Sequence, residues 1–353
     1  LMIKINIVIP MVGDGSRFSK YGFNKPKPLI PLNGKTFIEW SIESVDFKEV
    51  NTNFIFIIRE KHRTSLETHL RKIKPDCIIL SSEHLTRGAV ESCLIAKDYI
   101  NNDTPLIITN SDQIFEWNKE KYIKFVIENN IEANVITIKE TTDKFSYIKL
   151  NELGYGTELA EKNVISNDAL VGIHYWNKGN LFVSSGEKLI ERNIRANNEF
   201  YVSLTYNILI NEGIKVTNYE LDNNEKYLSI GTPEQVFEYL NYKNMNVKID
   251  KLDRFKRGWI IGNFEPSLLK NTGNELAVMR AKKGKGPGDY HYHEKCTEIN
   301  ILIIGKIKIN DKIINENDIF IFEPFVPAIC EFLEDSVWVS FKNNESNYDK
   351  INM

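Results

Sequence analysis

The sequence predicts two architectures in succession: an α/β domain on a mixed, mostly parallel sheet over residues 1–242, and a small all-β barrel over 257–353, joined by a linker at 243–256. Three observations carry this reading. An apolar, β-branched run (Ile3, Ile5, Ile7, Val8, Ile9) breaks into a glycine-rich turn. Apolar strands and amphipathic helices then alternate, which is the pattern of a parallel sheet covered on both faces. After the polar, basic stretch Asn241 to Lys256, the chain changes to short segments of two-residue alternation, EINILIIGKIKI at 298–309 and DIFIF at 318–322, as in a small antiparallel barrel.

Composition sets the outer bounds. With 353 residues, 42% of them hydrophobic and 26% charged, the chain can bury the cores of two domains. A net charge of −3 leaves no electrostatic footprint for nucleic acid. No apolar run approaches the roughly eighteen residues of a membrane span, and Lys4 and Asn6 interrupt the first apolar stretch, which reads as a strand and not a signal peptide. A cytoplasmic protein without membrane insertion is expected. Cys77, Cys93, Cys296 and Cys330 are scattered, without Cys-x-x-Cys spacing, and read as reduced, mostly buried thiols.

Taken in order, the first element is a strand feeding Gly13-Asp14-Gly15-Ser16-Arg17, with Lys25 and Lys27 in the proline-stiffened loop beyond. Two glycines allow backbone N–H groups to approach a phosphate chain, and Arg17 and Lys27 can neutralise its charge. A plain tight turn is the alternative. The dinucleotide fingerprint is excluded because Phe18 stands where the third glycine belongs and no acidic residue follows at about twenty residues. The phosphate-loop NTPase pattern is excluded because no Gly-Lys-Ser/Thr triplet closes the loop.

Gly13-x-Gly15-Ser16-Arg17, followed by Pro26-Lys27-Pro28-Leu29 and Asn33-Gly34-Lys35, resembles the signature of the sugar nucleotidyltransferases, and the resemblance runs over about residues 3–242. It implies a Rossmann-like domain that binds the nucleotide through Met11, Val12, Gly13, Gly15 and Ser16, with Arg17 and Lys27 as catalytic cations.

The following elements fit that order. Thr36-x-x-Glu39 opens a helix through Val45, Asn53 to Ile58 is a buried strand, and a helix over Thr64 to Ile73 leads to a strand at Cys77 to Leu80. The loop Ser82 to Ala89 ends such a strand. By resemblance Thr86, Arg87 and Gly88 face the nucleobase and ribose, although an ordinary helix N-terminus accounts for Gly88 as well. Leu106 to Thr109 is a fully apolar strand whose polar turn delivers Asp112 to the sheet edge. Magnesium takes oxygen ligands, commonly one or two carboxylates plus substrate phosphates. The resemblance assigns Asp112 to that Mg2+, and a solvated loop aspartate is the alternative.

Strands at Ala133 to Lys139, Phe145 to Leu150 and Ala169 to Trp176 frame Glu161-Lys162. In the family such a pair contacts sugar hydroxyls and the sugar phosphate, respectively; a surface ion pair is the alternative. Tyr201 and Asn207, placed on the next helix, complete the expected acceptor pocket. One position departs from the family pattern. Ser229 stands where an acidic or amide residue before Gly-Thr-Pro usually serves as second metal ligand, which leaves Asp112 to carry more of the metal affinity. Thr232 and Pro233 then start the last helix of the domain, with Gln235 closing the cap.

In the barrel, Gly288 to His293, Glu298 and Gly305 repeat the spacing of the first cupin motif, which implies a jelly-roll fold over about residues 257–342. His291, His293 and Glu298 can form a facial set for a divalent metal. Equally, they can line a sugar pocket or simply pack, since the turn Glu323 to Ala328 lacks the further histidine of metal-binding cupins.

The resemblance as a whole implies transfer of a nucleotidyl group from an NTP, with CTP favoured, to a phosphorylated sugar or polyol for capsule or lipopolysaccharide assembly. A homodimer is compatible with it. Two alternatives stay open: a bifunctional enzyme whose cupin domain epimerises or isomerises the sugar, and a sugar-nucleotide-binding regulator without turnover.

Overall fold

A computed structural model describes residues 3–245, 248–251, 274–284, 291–343 and 350–352. Half of the linker expected at 243–256 lies outside these residues, as do Gly288, Asp289 and Tyr290 of the barrel motif, and within the other half Lys248–Lys251 is a strand paired with Asp318–Phe322. The chain forms two compact units, residues 1–14 with 37–229, and residues 15–36 with 230–353.

The first unit is built on a nine-stranded sheet. Its parallel half contains β1 (Lys4–Met11), β2 (Asn51–Arg59), β3 (Ile78–Ser82) and β4 (Leu106–Thr109). β1 lies between β2 and β4 and is parallel to both. The chain moves outward from β1 through β2 to β3, then returns to the other side of β1 as β4. That reversal makes the carboxyl ends of β1 and β4 the switch point of the sheet, where ligands of open α/β sheets bind. Ile7 and Ile9 on β1, Ile55 and Ile57 on β2, and Ile107 on β4 are all fully buried, as expected of a sheet covered on both faces.

The remaining strands are β5 (Gln113–Glu116), β6 (Ala133–Lys139), β7 (Ser146–Leu150), β8 (Gly156–Glu161), β9 (Asp168–Trp176), β10 (Val216–Glu220) and β11 (Lys226–Ser229). β9 runs antiparallel to β4, β6 and β7, while β8 pairs only with β7 and forms an edge. β5 and β11 form a separate antiparallel pair. Helices cover the sheet, and they follow the sequence reading closely: Phe37–Val45 and Arg63–Ile73 match the expected spans within a residue. The helix expected after Gly88 is instead two short pieces, Ala89–Leu94 and Lys97–Ile100.

In the second unit, the Pro233–Tyr242 helix is capped as expected, with Thr232 accepting from the Gln235 N–H at 3.3 Å and Pro233 at its first turn. Residues 15–36 are tied to it by Tyr21, which donates to Glu234 at 2.7 Å, and by Asn33, which donates to Tyr239 at 3.0 Å. The C-terminal part is all β, with antiparallel pairing throughout the described residues. A five-stranded sheet contains Glu298–Ile304, Asp318–Phe322 and Ser336–Asn343, and a three-stranded sheet contains Ile307–Ile309. Leu302 and Phe320 from the first and Ile307, Ile309 and Phe332 from the second share one buried core. All four cysteines are free thiols. Among the described residues no helix is long and apolar enough to cross a membrane.

Candidate active site

The glycine loop leaves β1 at Met11 and Val12, which are only 5% and 3% exposed and anchor it in the core. Gly13 is exposed, with open space where a Cβ would stand. Asp14 is then pinned to two cations from the end of β2, to Arg59 Nη1 at 3.1 Å and Lys61 Nζ at 2.8 Å. The hydrogen bond from the Lys61 ammonium, helped by the charges of both cations, holds the Asp14 carboxyl below its usual range despite some loss of solvent. These partners are distant in sequence, and nothing in the loop's own residues announces them.

Beyond Asp14, Gly15 adopts φ 63°, the left-handed region, and a Cβ there would meet the Lys27 Cβ at 3.0 Å. Glycine is needed twice over. The stem of Lys27 therefore lies against the loop, with Nζ 5.6 Å from the centre of the Phe18 ring. Ser16 and Arg17 open the short Ser16–Lys20 helix and are exposed. The Glu234 carboxyl is held low chiefly by the Tyr21 hydroxyl, and the Arg17 charge adds to this.

At the end of β4 the backbone turns under tight control. Gln113 Nε2 donates to Thr109 Oγ1 at 2.6 Å and to the Gly172 carbonyl at 3.2 Å, while the Asn110 N–H donates to the same carbonyl at 3.1 Å. A Cβ on Gly172 would lie 2.1 Å from Asn110 Nδ2 and 2.4 Å from Gln113 Oε1, so a larger residue there would displace both side chains. Asp112 precedes β5, and β11 returns alongside with Ser229 opposite Gln113. Burial, and then the Asp112 charge, push the Tyr227 phenol above its usual range, against a hydrogen bond with the Ser229 hydroxyl. Asp112, Ser229 and Tyr227 thus lie near one another, with Asp112 the carboxylate among them. Tyr227 was not singled out from the sequence, although its two-residue offset from Ser229 on a strand places both on one face.

The Glu161-Lys162 pair ends the edge strand β8. Glu161 accepts from the hydroxyls of Ser146 and of Ser203, the latter at 3.0 Å. Burial raises the affinity of its carboxyl for a proton, opposed by those two donors. Lys162 takes φ 53°, a left-handed conformation that costs a non-glycine residue and recurs at functional sites. Its Nζ is 3.5 Å from the Tyr201 hydroxyl. Tyr201 is the N-cap residue of the Val202–Asn211 helix and so precedes the helix proper. Asn207, expected at the acceptor, has its amide on the β8 backbone: Oδ1 accepts from Leu159 N at 2.8 Å and Nδ2 donates to Leu159 O at 2.7 Å.

Thr86, Arg87 and Gly88 are brought together with Phe200. A Cβ on Gly88 would lie 2.5 Å from Phe200 N, and φ of 134° is open only to glycine. Thr86 Oγ1 is 2.6 Å from Ser92 Oγ, and Arg87 pairs with Glu91 at 2.6 Å. In the barrel, His291, His293 and Glu298 each offer a ligand atom, all within 4.8 Å of one another. Lys342, not foreseen from the sequence, stands 3.1 Å from Glu298 Oε2.

The "Bifunctional protein GlmU" of Methanocaldococcus jannaschii is 26% identical over 263 residues, 73% of this chain and 58% of that protein. The chain therefore spans somewhat over half the length of this relative. Among solved structures, the nucleoside-diphosphate-sugar pyrophosphorylase from Vibrio cholerae RC9 superposes with a TM-score of 0.58 at 22% identity, covering 67% of this chain and 99% of that one. The inositol-1-phosphate CTP transferase from T. maritima gives 0.55 at 14% identity, covering 67% and 94%. These two likenesses show a shared fold. Residues 7–238 match the nucleotidyl transferase family over well beyond half of the sequence, and the chain belongs to that family.

Proposed function

We propose that the chain transfers a nucleotidyl group from an NTP, CTP by preference, to a phosphorylated sugar or polyol, releasing pyrophosphate. The observation that carries this reading is the switch point. β1 and β4 are adjacent and parallel, and their carboxyl ends lead into the glycine loop and into the turn bearing Asp112. We assign the transfer to residues 1–242, the linker to 243–256 and the barrel to 257–353.

In this reading an acceptor phosphate oxygen attacks the α-phosphorus in line. The new O–P bond forms as the bond from the α-phosphorus to the bridging oxygen breaks, and pyrophosphate carries away the electron pair. Little covalent work falls to the protein, because such transfer is mostly positioning and electrostatics. Lys162 pairs with the acceptor phosphate and Glu161 with its hydroxyls. Arg17 and Lys27 offset charge on the triphosphate and on departing pyrophosphate. Thr86, Arg87 and Gly88 border the base and ribose, with Met11, Val12, Gly13, Gly15 and Ser16 forming the phosphate cradle. Asp112 would hold magnesium, with Ser229 as the neighbouring oxygen, and the ion when bound supplies further neutralisation of the phosphates.

The resulting nucleotide-activated product suits capsule or lipopolysaccharide assembly in the cytoplasm. Pyrophosphate release with each NTP against a panel of sugar and polyol phosphates tests the proposal. CTP with one acceptor should exceed every other pairing; release from no pairing would refute it.

A further inference from the structure

Strand register decides what faces the barrel interior. Glu298 pairs with Lys342, Asn300 with Ser340 and Leu302 with Trp338 across one antiparallel ladder, and Asn300 pairs with Phe320 across the next. Side chains alternate along a strand, so Glu298, Asn300 and Leu302 share a face and meet Lys342, Ser340 and Trp338 there. Glu298, Asn300, Trp338 and Phe320 line a cavity of about 280 Å³ together with His291 and His293. That is at the small end of the roughly 300–1,000 Å³ range of ligand pockets.

The two histidines and Glu298 have the composition of a metal set, but two features of the geometry argue against an ion. Glu298 Oε2 and His293 Nε2 are 4.0 Å apart. Donors about 2.1 Å from a tetrahedral ion lie only about 3.4 Å from each other. Moreover, Lys342 Nζ stands 3.1 Å from Glu298 Oε2 and 3.4 Å from His293 Nε2. The ammonium stands against both of these donors and already balances the carboxylate, which Ser340 also supports with a hydrogen bond of 2.9 Å. A divalent ion would have to displace it and leave two cations side by side.

A second observation points to what the cavity takes instead. Asn300 is fully buried and lines the cavity; its amide leans on Glu298, whose carboxyl it helps hold low, while its Oδ1 meets no donor. A buried amide offers two donors and an acceptor, and leaving its acceptor unpaired is costly. Hydroxyl groups both donate and accept, and aromatic walls such as Phe320 and Trp338 suit the C–H faces of a compact ring or chain. Lys342 balances Glu298, and the other charged lining residues, Arg280 and Glu323, are of opposite sign, so the pocket favours a neutral ligand. We propose that the barrel holds a metal-independent pocket for a small, neutral polyhydroxylated molecule, with Lys342 as its built-in cation and Asn300 as its main hydrogen-bonding group.

The test uses the full chain, titrated separately with D-glucose, ribitol and myo-inositol while tryptophan fluorescence is read against Trp338→Phe as the blank. At least one probe should give a saturable, Trp338-dependent response that EDTA leaves unchanged, and Asn300→Leu should weaken it about tenfold or more. Calorimetry with Zn2+ or Mn2+ alone should detect no binding that His293→Ala removes, while Lys342→Met should gain such binding. Three results would overturn the proposal: no saturable response to any of the three probes, a response abolished by EDTA, or one equivalent of ion bound by the wild-type chain and lost in His293→Ala. The wild-type arms decide the matter even if Lys342→Met fails to fold.

Discussion

Replacing Asn207 by alanine separates two roles for a residue that the sequence placed at the acceptor. In the structure its amide makes paired hydrogen bonds of 2.8 and 2.7 Å with the backbone of Leu159, on the free side of an edge strand. Leu159 is 2% exposed, so water replaces these bonds poorly. A hydrogen bond contributes about 1 kcal/mol net and a buried group left unpaired costs about 1–3 kcal/mol, so Asn207→Ala should destabilise by about 2–4 kcal/mol. Two residues after Leu159 come Glu161 and then Lys162, so loosening the strand should also raise KM for the acceptor with a smaller change in kcat. Asn207→Asp retains an acceptor for the Leu159 N–H but sets a carboxylate oxygen against the Leu159 carbonyl, and should be at least as harmful. Urea unfolding and acceptor saturation curves measure both effects. If Asn207→Ala stayed within about 0.5 kcal/mol of wild type while acceptor KM rose, the amide would be contacting the acceptor and the backbone argument would fail.

Other perturbations follow from the same geometry. Asp112→Asn should lose most turnover and raise the magnesium requirement, with Ser229→Ala doing much less; a magnesium titration of initial rates would show equal losses if the serine were an equal ligand. Lys162→Ala should chiefly weaken acceptor use and Arg17→Ala should slow transfer, each by about 2–4 kcal/mol or roughly 30- to 1,000-fold, as steady-state kinetics with both substrates varied will show. Glu161 binds its proton more tightly in the folded chain than in the unfolded one, so the stability it contributes is present below the ordinary carboxylate pKa and is lost as pH rises through its raised value. Glu161→Gln should lack that loss and gain stability relative to wild type between acid and neutral pH; parallel pH profiles of the urea midpoint would contradict the buried placement.

The parts of the fold that were legible in the sequence are those fixed by local pattern. β1, β4 and the capped helix at Pro233 announce themselves through apolar runs and turn residues within a few positions. The glycine loop was legible because left-handed φ and close approach to Lys27 admit little besides glycine. Pairings over long sequence distance were not. Gly88 faces the backbone of Phe200, and Asp14 meets Arg59 and Lys61, only because the sheet brings those segments together. Nothing in the residues around Lys342 marks it as inward-facing. Its inward direction follows from pairing opposite Glu298, which depends on register and not on composition.

Phosphorus-31 NMR of the full chain with CTP, magnesium and a responsive sugar or polyol phosphate measures directly whether the α-phosphate of the nucleotide passes to the acceptor phosphate. A new diphosphate diester and free pyrophosphate should appear in equal amounts, both abolished by Asp112→Asn. Orthophosphate and CDP accumulating without any diester would show that the chain hydrolyses nucleotide and would contradict the account.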